Sequence, residues 1–175
     1  MIAKVPEKRG DGRSSFGTLG RYITGDKISR ETGEIIRSET DVISVTNCLS
    51  LKTASAEMRA AADANPRIKD PVYHAVLSWQ EGENPSDTQM IEAAEAAQKS
   101  IGMDGHQYIY SIHRDTEHAH IHMMINRVHP DTGKSVYPQN DFYKLDRCMR
   151  EVELAQGWQH DAGPHVVRDG KIVRE

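Results

Sequence analysis

The sequence predicts a single α/β domain, a sandwich in which a central, mostly antiparallel sheet carries helices packed on it. Three observations predict it. Strand-like and helix-like segments alternate along the chain. Two strand-like segments, 107–113 and 118–127, are separated only by residues 114–117, short enough for an antiparallel pair. And 175 residues suffice for one domain with a real core, but not comfortably for two.

The elements follow in order. Residues 1–5 alternate apolar and polar, a short strand ended by Pro6. After a Gly- and charge-rich loop over 7–15, Ser14 or Ser15 can cap a helix running through Phe16, Leu19, Tyr22 and Ile23. Phe16, Leu19 and Ile23 recur at helical spacing, Tyr22 lies on the rim of that stripe, and Gly25-Asp26 ends it. Residues 25–41 read as a polar loop, and 41–48 as a β-rich segment. The Ala-rich run 53–65, with Met58, reads as a helix stopped by Pro66. Residues 72–79, Val-Tyr-His-Ala-Val-Leu-Ser-Trp, read as a strand partly covered on both faces. Asn84-Pro85-Ser86-Asp87 opens a long helix to about Ile101, with Met90, Ile91, Ala94 and Ala97 on its apolar face and Gly102 at its end. Residues 140–156 form an amphipathic helix through Phe142, Leu145, Met149, Val152 and Leu154. The tail, 158–175, holds a hairpin about an Asp-Gly turn.

Composition narrows the function. Charged residues make up 27% and the formal net charge is −4, which argues against bulk, nonspecific nucleic-acid affinity but not against a local basic surface. Acid is concentrated in 81–95 (Glu81, Glu83, Asp87, Glu92, Glu95), whereas 1–40 carries eight basic and six acidic residues. Cys48 and Cys148 lie far apart and make no zinc or disulfide framework, so a reducing, cytoplasmic setting is expected. No secretory signal and no segment of membrane-spanning length are expected.

The stretch 113–126 carries the chemistry. In an extended strand His118, His120 and His122 share one face, while Ala119, Ile121, Met123 and Ile125 fill the other, core side. His113 can approach from the neighbouring strand, and imidazoles so placed can converge on one metal ion. The alternative is a solvated polar strand face. Imidazole suits Mn, Co, Ni, Cu and Zn, whereas Mg prefers oxygen, so the pattern alone names no metal. A metal held by neutral imidazoles keeps its full charge, which suits polarising an anionic oxygen. Asp115 can orient an imidazole or accept a proton from a nucleophile, and Asn126 is a polar neighbour on the same face. The Ala-rich helices 53–65 and 86–101 are expected to cover the opposite face.

These residues read H-x-D-x4-H-x-H-x3-N: His113, Asp115, His120, His122, Asn126. The pattern resembles motif III of the P-type plasmid mobilisation relaxases, which are HUH endonucleases. Arg21-Tyr22-Ile23-Thr24 resembles their motif I. Tyr73 to Trp79, followed by Gly82-Glu83-Asn84-Pro85, resembles motif II, and Asn126-Arg127-Val128-His129-Pro130 continues the likeness. The resemblance covers about residues 1–157. It implies nicking and rejoining of one DNA strand at a transfer origin, with Tyr22 as nucleophile and a 5′-phosphotyrosine intermediate. It further implies a divalent ion, Mg or Mn, on His113, His120 and His122, supported by Asp115. Ser78, Arg21, Asn126 and Arg127 would contact single-stranded DNA. Accessory relaxosome proteins and a coupling protein are the implied partners, with no membrane. Relaxases of this type are usually longer, so the chain reads as a catalytic domain over 1–175, from the N-terminus of a longer protein.

Three alternatives stay open at this point. A rolling-circle initiator or single-tyrosine transposase would carry its tyrosine after the histidines, with Tyr143 as candidate. A metal-dependent DNA-binding domain would bind without an adduct. A metallohydrolase unrelated to DNA would need no tyrosine. Within the row of histidines, His118/His120 is also an HUH-like pair, so a register shift of two would exchange His118 for His122 as ligand. His74 and His129 read as solvated or packed.

Overall fold

A computed structural model describes residues 1–7, 15–28, 35–37 and 42–175. Its main sheet has five strands, all paired antiparallel: β1 (Ile2–Lys4), β5 (Val72–Ser78), β7 (His120–Asn126), β6 (Tyr108–His113) and β4 (Ile43–Thr46), in that spatial order. Asp26–Ile28 (β2) and Ile35–Arg37 (β3) make a separate hairpin, as do His165–Arg168 (β8) and Lys171–Arg174 (β9). Four helices complete the described residues: α1 (Phe16–Ile23), α2 (Leu51–Asp63), α3 (Asp87–Ser100) and α4 (Asp141–Gln156).

One face of the sheet is the main core. Ala75 and Leu77, Tyr110 and Ile112, and Ile121, Met123 and Ile125 alternate toward it. There they bury against Met90, Ala93, Ala94 and Ala97 of α3 and Leu145, Met149 and Val152 of α4. The opposite face is divided. Ile109 and Met124 pack under Phe16 and Ile23 of α1 and Ala54, Met58 and Ala62 of α2. The rest of that face carries the histidines.

Two expectations change here. Helix α2 lies on the histidine face, and α4 takes the place expected of it on the other. A stripe of Ala54, Met58 and Ala62 says that α2 has a buried side but not which sheet face receives it. The 25–41 loop contains the β2–β3 hairpin, whose three-residue strands are too short to show a period-2 pattern.

Local chemistry explains the elements that position the site. Ser15 caps α1 by accepting from the Thr18 amide. Gly20 lets α1 lie close to α2: a Cβ there would meet Ser55 Oγ at 2.8 Å. Ser55 in turn donates to the Phe16 carbonyl, tying the two helices. Ser86 and Gln89 form a reciprocal capping box on α3. At the tail hairpin Asp169 and Gly170 have φ of 51° and 71°, the left-handed pair a tight β-turn of this hand requires.

The edge strand β1 is anchored by charge. The Met1 ammonium donates to Glu153 Oε1 and Asp161 Oδ2, each at 2.5 Å. The buried Arg150 guanidinium bonds the Met1 carbonyl and Glu153 Oε1. Glu153 is fully buried between two cations, so its removal leaves the Met1 ammonium to Asp161 alone and Arg150 to the more distant Asp146, 3.8 Å away. We expect Glu153→Ala to destabilise the fold by about 3–5 kcal/mol. In a domain of this size that is roughly 6–20 °C in melting temperature by calorimetry. A shift within 2 °C would contradict this account of the anchor.

Candidate metal centre and nucleophile

The β6–β7 register builds the centre. His113 pairs with His120 across the two strands, and Ser111 pairs with His122. Directly opposed residues on antiparallel strands share a face. All three imidazoles therefore emerge on the side away from the main core. Their ring centroids are 4.7–5.3 Å apart. One ring nitrogen from each lies within 4.8 Å of the others.

Each ring is oriented through its second nitrogen. His113 Nε2 donates to the Ile23 carbonyl at 2.6 Å. His120 Nδ1 donates to the His118 carbonyl at 3.0 Å. His122 Nδ1 is 2.9 Å from Nε2 of His74, on β5. Carbonyls only accept, so the first two bonds leave the lone pair on His113 Nδ1 and His120 Nε2. Burial pushes the His122 pKa down to about 3, with the neighbouring His113, His74 and His120 adding to the effect. Burial likewise pushes His74 to about 4 and lowers His113. Oriented, converging imidazoles are what a divalent first-row ion needs, and the donor set fits one.

Tyr22 sits in the last turn of α1, 61% exposed. Its ring meets that of His122 edge-on, centroids 6.0 Å apart and planes at 90°. The next residue, Ile23, is the one whose carbonyl holds His113. One helix end thus carries the phenol and locks one imidazole of the cluster.

The other expected site residues divide. His118 lies before β7, in the loop that the His113–His120 pair closes. Its Nδ1 donates to the Trp79 carbonyl, and it is not in the imidazole cluster. Asp115 is exposed in the same loop, and among the described residues it bonds none of the three rings. It acts on His113 only through its charge. The preceding Arg114 donates to the Pro85 carbonyl and to Asp87. The orienting groups are therefore two backbone carbonyls and His74, where Asp115 was expected.

Ser78 ends β5 as the register partner of His120 and lines a cavity of about 470 Å³ with Ile2, Trp79 and His118. Arg21 is exposed, its Nε on the Gly17 carbonyl. Asn126 does not fit a DNA contact. It is fully buried, donates to Met58 O and Gln107 Oε1, and accepts from the Val128 amide, so it joins α2 to the end of β7. Arg127 is nearly buried, donates to the Asp70 and Val136 carbonyls, and lies 4.6 Å over the Tyr137 ring. Tyr143 meets the Phe142 ring edge-on and lies under Arg174, on the helix that covers the face away from the imidazoles.

A cleft of about 500 Å³ adjoins the centre, sharing Tyr22 and His74 with it and continuing past Tyr73, Arg127, Tyr137 and Pro138. His74 is the residue that sequence reasoning missed. Its signal was its spacing from Ser78, which puts both on one strand face. Only the β5–β7 pairing brings that face beside His122.

Residues 22–158 match the model of a relaxase family described as MobA/VirD2-like, nuclease domain. Protein MobA of Acidithiobacillus ferrooxidans is 40% identical over 122 residues, which are 67% of this chain and 30% of that protein. A TraI protein of Escherichia coli is 35% identical over 164 residues, 92% of this chain and 21% of the relative. The chain thus spans a third or less of the length of these curated relatives. A structure reported under "Molecular Basis of Vancomycin Resistance Transfer in Staphylococcus aureus" shares the fold. Its TM-score is 0.51 at 12% identity, over 83% of this chain and 88% of that one. Among the described residues no helix is long and apolar enough to cross a membrane.

Proposed function

The chain belongs to the relaxase family, in its MobA/VirD2-like nuclease domain, and from that premise we propose that it nicks and rejoins one DNA strand at a transfer origin. One observation carries the reading: the exposed Tyr22 phenol stands against His122, on the helix end that also holds His113.

Tyr22 attacks the scissile phosphate. A bond forms from its phenolic oxygen to phosphorus, and the bond from phosphorus to the 3′ oxygen breaks. The 3′ oxygen leaves with the electron pair and takes up a proton, while the phenolic proton passes to solvent. The product is a 5′-phosphotyrosine with a free 3′-hydroxyl. Because one phosphodiester replaces another, the step reverses and the strand can be rejoined. His113, His120 and His122 would hold Mg or Mn, which supplies positive charge to the non-bridging phosphate oxygens. Asp115 contributes charge beside His113, and Ser78 and Arg21 contact the strand.

The strand lies along the cleft. The formal net charge of −4 and the acidic lining residues Glu7 and Asp141 weaken phosphate attraction there, so base stacking carries much of the affinity. Tyr137 is 72% exposed, with the Arg127 guanidinium behind its ring. Tyr137→Ala is expected to weaken binding of a 15-nucleotide single strand roughly 5- to 150-fold, one lost stacking contact. Fluorescence anisotropy measures this, and an unchanged affinity would remove the cleft from the strand's path.

Accessory relaxosome proteins, a coupling protein and a cytoplasmic setting belong to the same proposal. Its test is covalent capture: single-stranded DNA carrying a candidate transfer origin, incubated with Mn or Mg, should yield a protein–DNA adduct stable to denaturant. Metal-dependent binding without any adduct would favour a DNA-binding domain instead.

A further inference from the structure

We propose that His74 is a positioning residue that fixes which nitrogen His122 presents to a divalent cation. The inference rests on the metal centre proposed above. His74 and His122 are stacked, with ring centroids 5.2 Å apart and planes at 20°, and share one hydrogen bond of 2.9 Å.

Two neutral imidazoles can share that bond in two ways. In the first, His122 Nδ1–H donates to His74 Nε2, and the His122 lone pair sits on Nε2. In the second, His74 Nε2–H donates to His122 Nδ1, and the proton on His122 Nε2 blocks ligation there. The cluster can use only the first. A cation on Nε2 makes Nδ1–H a stronger donor, so ion binding and the His74 acceptor reinforce each other. His113 and His120 need no such choice, because each has a backbone carbonyl that can only accept, Thr116 Oγ1 adding a longer 3.5 Å contact to His120 Nδ1. His122 alone in the triad depends on a side chain for its tautomer, and that side chain can be changed without touching a ligand.

The experiment compares Mn(II) affinity by titration calorimetry, without DNA, in the wild type, His74→Phe and His74→Gln. Phe keeps a ring of similar size but cannot accept; the Gln carbonyl can. His74→Phe is expected to bind Mn(II) 10- to 100-fold more weakly. His74→Gln should recover to within about fivefold of wild type, a rescue that simple loss of packing would not give. Mn(II) affinity in His74→Phe within twofold of wild type would overturn the role. If His74→Phe does not fold, nitrogen-15 histidine spectra of the Zn(II)-loaded wild type decide: a proton on His122 Nδ1 supports the proposal, and a proton on Nε2 overturns it. A wild type that takes up no Mn(II) would instead fail the metal centre itself, a distinct result.

Discussion

Replacing Tyr22 with Phe is expected to abolish covalent capture of DNA while leaving the fold and single-strand binding in place. The substitution removes one oxygen and keeps the ring that meets His122. Tyr22 is 61% exposed and caps no helix, so little stability depends on its hydroxyl. What is lost is the atom that forms the bond to phosphorus. Removing a nucleophile costs on the order of 10⁴-fold or more in rate, because the charge stabilisation that remains has nothing to attack with. Tyr143→Phe is the matched control. Tyr143 is held by Phe142 and Arg174 on the far side of the sheet, and its loss should leave capture near the wild-type level. The opposite pair of results would place the nucleophile on α4 and favour a replication initiator or transposase.

The second large effect concerns the ligands. His120→Ala combined with His122→Ala should reduce bound metal, by elemental analysis, from about one ion per chain to under a tenth. One imidazole would then remain where three converge. The strand itself should survive, since β7 is paired along its length on both sides, by β5 and β6. Adduct formation should fall at least about 10³-fold with the charge lost from the phosphate. Unchanged metal content in a folded double variant would refute these ligands.

Much of this site is legible in the sequence, for a definable reason. Strand period and helix caps are local, so Ser15, the α1 stripe and the alternation from Ala119 to Ile125 can be read directly. The choice between His118 and His122 is not local. It depends on where β7 begins, which the His113–His120 pairing sets, and the resemblance rather than the spacing supported His122. Asn126 shows the converse. Alternation places it correctly on the histidine face, yet α2 covers that part of the face and turns the amide inward. His74 and the placement of α2 were hidden because both depend on which elements neighbour one another. The same holds for the loop that carries Asp115, where Arg114 reaches Asp87 on α3.

The most direct measurement is to map the adduct. The protein, single-stranded DNA carrying a candidate transfer origin and Mn(II) are incubated, digested with nuclease and trypsin, and analysed by mass spectrometry. The account predicts a nucleotide phosphate on the tryptic peptide 22–27, at Tyr22. A modification at Tyr143, or cleavage that leaves a free 5′-phosphate and no DNA on the protein, would contradict it.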